Sequence, residues 1–184
     1  QFIDASTKQK KPFFVYYAPF MPHTPHTPPK RLLEKYRDKT PHLPIAKYWA
    51  MCEWFDETCS QLLNHLDEKN LSDNTLVLYV TDNGWIQRTP ATRVPTGWRY
   101  RFAPGSKRSP NEGGVRTPIM VRWPGPVKPG TRTDLASSLD LAPTILAATG
   151  ITPKAKLPGL DLVALASRKP DAPVTRSSVY GEIF

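Results

Sequence analysis

Between Ile45 and Leu66, apolar and aromatic residues return every three or four positions: Ile45, Trp49, Cys52, Phe55, Cys59, Leu62 and Leu66. That spacing is the stripe of one long amphipathic helix, ending near Asn70. A short apolar run stands on either side. PFFVYY at 12–17 is aromatic-rich and closed by Ala18-Pro19, and TLVLYV at 75–80 is entered through the turn Ser72-Asp73-Asn74. Strand, long helix, strand is a βαβ unit, whose crossover joins parallel strands of one sheet with a right-handed turn. The order predicts an α/β fold with a parallel or mixed sheet flanked by helices, both strands finishing at the same edge. The loop after Tyr17, with His23 and His26, then shares that edge with Asp82 and Asn83. In open α/β sheets the carboxyl edge is where ligands bind.

Further elements extend the pattern. PIMVRW at 118–123 follows the turn Gly113-Gly114 and reads as a third strand. Asp140 is placed to cap a helix that tolerates Pro143 in its first turn and stops at Gly150. Residues 178–182 read as a last strand. The 184 residues suffice for one domain, 1–184, with a core of its own, and the 21 prolines put much of the chain into ordered but irregular loops. No run approaches the length of a membrane span, so no membrane partner is expected. The chain opens on Gln1 and closes on a strand-like YGEIF, which makes a fragment of a larger domain the expectation. Cys52 and Cys59 are seven residues apart on the helix, about 10 Å along its axis. A disulfide tolerates roughly 7 Å, so the two are expected to pack rather than to bridge.

The net charge of +9 is concentrated in 87–111, which holds Arg88, Arg93, Arg99, Arg101, Lys107 and Arg108 without one Asp or Glu. Such a run favours anionic partners. Inside it Trp98-Arg99-Tyr100-Arg101-Phe102 alternates rings with guanidiniums, so an extended backbone sets three rings on one face and two cations on the other. That can grip a sulfated sugar or stack nucleic-acid bases, or be a solvated basic loop with its rings packed down.

Three motifs carry chemistry. Asp82-Asn83 ends the second apolar run with a carboxylate and an amide oxygen on consecutive residues, a donor set for a hard cation such as calcium or magnesium, and Gly84 allows a sharp exit. An Asx-type turn closing the strand accounts for the same residues. Pro22-His23-Thr24-Pro25-His26-Thr27-Pro28-Pro29 holds two imidazoles on a stiff backbone, where a histidine can serve as general acid or, protonated, bind an anion. Lys107 lies in a loop punctuated by glycine and proline from Gly105 to Pro118, a natural anion clamp that alone would pass for a basic surface turn.

In this order the motifs resemble those of the formylglycine-dependent sulfatases of the alkaline phosphatase superfamily. Residues 12–29 are similar to PFFLYxAxxxPHxP, 54–83 to WxDxxxGxLLxxLxxxGLxDNTLVxxxSDNG and 107–118 to KxxxxEGGxRxP. Residues 137–150 are similar to SxxDLxPTxLxxAG, and 157–162 to LPGxxL. The resemblance implies an alkaline-phosphatase-like fold, here incomplete, and sulfate ester hydrolysis. It implies Asp82 and Asn83 as calcium (Ca2+) ligands, Lys107 as the group that binds the sulfate oxygens and His23 as the acid, with His26 second. A sulfate ester, in one form a sulfated sugar, is the implied substrate, and nucleic acid is disfavoured. The compartment it implies is periplasmic, secreted or lysosomal. Two family features do not match. The nucleophile belongs to a C-x-P-S-R motif, whereas Cys52 precedes Glu53-Trp54 and Cys59 precedes Ser60-Gln61, and Thr89-Pro90-Ala91-Thr92-Arg93 has its proline out of register. The paired aspartates that complete the calcium site are also missing, so the N-terminal half of the domain is the expected partner. A phosphoester hydrolase of the same superfamily and a nucleophile-less module binding sulfated polymers remain alternatives.

Overall fold

The computed structural model describes residues 1–84, 106–169, 172 and 176–180. They pack as two compact units, Gln1–Cys59 and Ser60–Phe184. The expectations for 87–105, including Trp98 to Phe102 and Thr89 to Arg93, lie outside the described residues.

The first unit contains α1 (Phe2–Lys8), α2 (Lys30–Arg37) and most of α3 (Leu43–Glu68). Ala46, Ala50 and Met51 form the buried face of α3, and Ile3 and Leu32 are buried with them in this unit. Two ion pairs tie α2 to α3: Arg31 meets Glu57 through both guanidinium nitrogens, 2.6 and 2.5 Å, and Lys35 meets Glu53. α1 and α2 have no counterpart in the sequence reading. Pro29 sits at the N-cap of α2, where a proline costs no helical hydrogen bond, so a proline-rich stretch ends in a helix start rather than in more loop.

The strand expected at 12–17 is not formed, and with it the βαβ crossover is absent from the described residues. Phe14 is 65% and Tyr16 84% exposed. An apolar run becomes a buried strand only when neighbouring strands satisfy its amides and cover its side chains. The composition of 12–17 advertises such neighbours, and among the described residues they are not there. Likewise 178–180, the described part of the expected last strand, is not in a strand, and the remainder lies outside the described residues.

In the second unit α3 ends in a Schellman turn. Asn70 is left-handed (φ 54°), Leu71 N donates to Leu66 O at 2.8 Å, and Asn70 N donates to Asp67 O at 3.0 Å. The strands β1 (Val77–Val80) and β2 (Ile119–Arg122) pair antiparallel, Val77 opposite Arg122 and Val80 opposite Ile119. The end of β2 is pinned at the foot of α3. Arg122 reaches Asp67 at 3.2 Å, Trp123 Nε1 donates to Asp73 O at 3.1 Å, and the Ser72 hydroxyl donates to the same Asp67. A single helical turn, α4 (Glu112–Val115), precedes β2.

The segment beyond β2 is organised by one buried carboxylate. α5 (Leu141–Ala148) stops as expected at Gly150, left-handed at φ 70°. Asp140 occupies its N-cap, but its side chain turns back instead of capping α5. It accepts from Ser137 N at 2.7 Å, from Leu160 N at 2.8 Å and from both ends of the Arg176 guanidinium at 2.9 and 2.7 Å. Thr144, equally buried, donates to Asp140 O and accepts from Leu162 N, the first residue of α6 (Leu162–Ala166). Gly159 crosses the same knot, where an added Cβ would meet Leu139 O at 2.1 Å.

Burial alone would raise the pKa of Asp140, but Arg176 and the amides of Leu160 and Ser137 overcome it and hold the carboxyl below its ordinary value. Removing one partner of a buried pair leaves the other uncompensated, at a cost of about 3–5 kcal/mol. Asp140→Asn should therefore lower the unfolding free energy, measured by urea titration at pH 7, by about 3 kcal/mol or more. A depressed carboxylate contributes its stability above its unfolded value, near pH 4, and loses it as pH falls through the folded value. The stability curve of the variant should accordingly be flatter than that of the parent below about pH 4.

Candidate functional site

Antiparallel pairing sets the exit of one strand beside the entrance of its partner. The exit of β1 is Thr81-Asp82-Asn83-Gly84, and the entrance of β2 is the loop 106–118, with Lys107. Two hydrogen bonds fasten these segments: the Thr117 hydroxyl donates to Thr81 O at 3.0 Å, and Gly84 N donates to Gly114 O at 2.9 Å. The structure thus brings the Asp82-Asn83 pair and the Lys107 loop to one end of the sheet in the second unit.

Glycine permits the approach. A Cβ on Gly84 would stand 1.8 Å from Gly113 O, and one on Gly114 would stand 2.2 Å from Ser109 O and 2.5 Å from Ser106 O. Every one of these obstacles is backbone, which has no side chain to swing aside. The chain bends at Asp82-Asn83 as it leaves β1, and Gly84 in addition serves a close contact that the sequence does not reveal.

Asp82 is exposed and Asn83 half-buried. One Asp82 carboxylate oxygen, Oδ1, accepts from the Asn83 amide at 2.9 Å, so the local turn and the donor set coexist. Among the described residues no three His, Cys, Asp or Glu side chains gather as a metal cluster. Hard oxygen donors from Asp82 and Asn83 fit calcium in kind, and two of them are fewer than the six to eight it takes. Lys107 is half-buried between two buried serines, and Arg108 is exposed and left-handed at φ 67°. Ser109 Oγ accepts from Asn111 N at 3.0 Å, while the fully buried Ser106 hydroxyl has no hydrogen-bond partner among the described residues. No motif singled out Ser106; its burial follows from the glycine contact and is invisible in the sequence.

His23 and His26 belong to the first unit. His23 is exposed, its ring centroid 5.0 Å from that of Phe20. Its Nδ1 lies 2.8 Å from Thr24 O, a bond that requires the proton on Nδ1 and leaves Nε2 of the neutral ring an acceptor. His26 is half-buried with its ring 5.7 Å from Tyr48, and burial lowers its pKa, with the nearby His23 and Lys47 adding to the effect against the Pro22 carbonyl. Being pushed toward the neutral form, His26 is disfavoured as a cation. Cys52 and Cys59 are free thiols, both raised in pKa by burial, as packing residues are.

Residues 1–151 match the family model described as Sulfatase. Human arylsulfatase A is 33% identical over 160 residues, covering 86% of this chain and 29% of the relative. A sulfatase of Formosa agariphila is 30% identical over 181 residues, covering 90% and 31%. The solved structure of Ps i-CgsB, also determined with k-i-k-neocarrahexaose, is similar with TM-score 0.72 at 26% identity, covering 92% of this chain and 37% of that one. The helices and small sheet are therefore an incomplete piece of the alkaline-phosphatase-like α/β fold. The chain belongs to the sulfatase family and spans about a third of the length of these relatives.

Gly84→Ala should destabilise the chain by about 1–3 kcal/mol in denaturant titration, since a methyl group is forced against a fixed carbonyl. Gly130→Ala, where an added Cβ meets nothing within 4 Å, should stay within about 0.5 kcal/mol of the parent.

Proposed function

We propose that this chain is the later part of a sulfatase catalytic domain, one that hydrolyses a sulfate ester with water to an alcohol and hydrogen sulfate. The observation that supports the reading is the backbone lock between Gly84 and Gly113-Gly114, which fastens the end of β1, with Asp82 and Asn83, to the loop that carries Lys107 in a chain of this family. Asp82 and Asn83 would hold a calcium ion together with ligands from elsewhere in the domain. Calcium there supplies neutralisation and polarisation of the sulfate. Lys107 binds a sulfate oxygen by a charge-assisted hydrogen bond. His23 gives a proton to the leaving alcohol oxygen. With Nδ1 committed to Thr24 O, it can donate from Nε2 only as imidazolium. A sulfated sugar is the substrate class we take, since a structural relative was solved with k-i-k-neocarrahexaose and this chain carries +9 net charge. Neither cysteine lies in a C-x-P-S-R motif, so the nucleophile comes from another part of the domain. A secreted, periplasmic or lysosomal setting goes with this reading, and among the described residues no helix is long and apolar enough to cross a membrane.

This chain alone should not turn over an aryl sulfate, because acid and anion-binding groups have no nucleophile to assist. Turnover abolished by His23→Ala would sink the division of labour proposed here. In the full-length enzyme His23→Gln should lower kcat/KM far more for an alkyl sulfate than for an aryl sulfate whose leaving group needs no proton.

Lys107→Ala should cost the full-length enzyme far more kcat/KM than Arg108→Ala, although each removes one charge from the same loop. Steering by summed charge would make the neighbours nearly equivalent and would fade in salt, whereas a direct hydrogen bond sheltered from water persists. Measurement of both variants at low and high ionic strength separates the two. Equal losses that fade together would withdraw Lys107 from the site.

A further inference from the structure

Of the five asparagines in the chain, Asn64, Asn70, Asn74, Asn83 and Asn111, only Asn83 is followed by glycine. A side-chain amide in that position is open to attack by the next backbone nitrogen, because glycine sets no side chain in the way of ring closure. In the reaction the Gly84 nitrogen gives up its proton and bonds to Asn83 Cγ, the Cγ–Nδ2 bond breaks, and ammonia leaves. Water then opens the succinimide ring at one of its two carbonyls. One product is aspartate; the other is isoaspartate, in which the main chain runs through the former side chain. Water is the only co-reactant.

The fold opposes each part of this chemistry. The attacking nitrogen is occupied: Gly84 N donates to Gly114 O at 2.9 Å, so its deprotonation would press an amide anion against a carbonyl oxygen. Rotation of Gly84 toward the Asn83 side chain is also opposed, since Gly113 O stands 1.8 Å from where a Cβ on Gly84 would be, and the two segments must part before Gly84 turns. On the other side of Asn83 the backbone is held as well. Asn83 N donates to Asp82 Oδ1 at 2.9 Å, and the Thr117 hydroxyl donates to Thr81 O at 3.0 Å. We propose that Asn83 is a latent site of self-modification, closed while the exit of β1 is fastened to the loop 106–118 and open when the two part. Either product replaces the amide by a carboxylate next to Asp82. Isoaspartate also lengthens the main chain by one carbon just before Gly84, so the contacts with Gly113 and Gly114 are not re-made in register. A transient opening is thereby recorded as a permanent change, independently of any hydrolytic role for His23 or Lys107.

Incubation of the chain in mildly alkaline buffer, with and without urea, followed by peptide mass mapping, tests the proposal, the other four asparagines serving as internal references. Expected in urea is conversion of Asn83 ahead of every other asparagine, and without urea a rate about tenfold lower or less, set by how often the two segments part. Gly114→Ala leaves Asn83-Gly84 intact but drives a methyl group against Ser109 O and Ser106 O, and should return Asn83 most of the way to its rate in urea. Thr117→Val removes the hydroxyl bond to Thr81 O without added bulk and should give a smaller rise, whereas Gly130→Ala should convert at the parent rate. Far-UV circular dichroism reports whether each variant is folded, and should Gly114→Ala unfold, Thr117→Val against Gly130→Ala carries the decision. Equal rates with and without urea overturn the proposal, as does a Thr117→Val chain that converts no faster than Gly130→Ala. Loss of sulfatase activity in Lys107→Ala or His23→Ala of the full-length enzyme bears on the hydrolytic reading alone.

Discussion

The contact of Gly84 with Gly113 and Gly114 is the constraint on which the architecture of the second unit turns. A backbone carbonyl that stands where a Cβ on Gly84 would be can do so only because residue 84 carries no side chain, and Gly114 is held to glycine in the same way by the carbonyls of Ser106 and Ser109. The closeness has a consequence beyond packing. It fixes the distance between the end of β1 and the loop before β2 without a flexible side chain as intermediary, so the positions of Asp82-Asn83 and of the Lys107 loop inherit backbone rigidity. Sites that must hold charged groups to a fraction of an ångström gain from being anchored on main chain in this way. The buried Ser106 and Ser109 belong to the same arrangement, filling the space a larger residue would contest.

The knot at Asp140 plays the corresponding part for the segment after β2. A short helix such as α5 has little cooperative stability of its own and depends on tertiary contacts. Here a buried carboxylate gathers the Ser137 amide from its own turn, the Leu160 amide from twenty residues on and the Arg176 guanidinium, so a segment that buries few apolar side chains is still held. The arrangement is specific because each partner is satisfied only in this geometry, and it is costly to interrupt for the same reason.

Legibility in the sequence followed the range of the physics. α3 was readable because a stripe about six turns long is a local signal repeated many times, and its turn at Asn70 and the stop of α5 at Gly150 follow from the left-handed conformation those residues tolerate. β1 and β2 were readable as apolar runs, but their antiparallel pairing was not, since period and composition carry no partner. The same limit misplaced 12–17: strand propensity is a statement about fitting a pleated, half-buried surface, and the residues that would supply the surface must be present. Among candidate site residues, the pairing of Asp82-Asn83 with the Lys107 loop came only from family resemblance, and the structure supplies its mechanical cause in the β1–β2 register. The Asp140 knot joins residues up to 36 apart and leaves no trace in any window of the sequence.

Division of a site over a long chain also has an electrostatic logic. The proposed site would set Lys107 near the Asp82-Asn83 pair, and there, with no metal in place, an anion arriving at Lys107 would meet Asp82 as a repulsive neighbour. Under the proposed function, a divalent ion on Asp82 and Asn83 would reverse the sign of that neighbour, so metal and sulfate would each favour the other's binding. Coupling of this kind is reciprocal by thermodynamic necessity. On that reading, affinity for the anion measured without the remaining metal ligands would understate what Lys107 contributes in the complete domain.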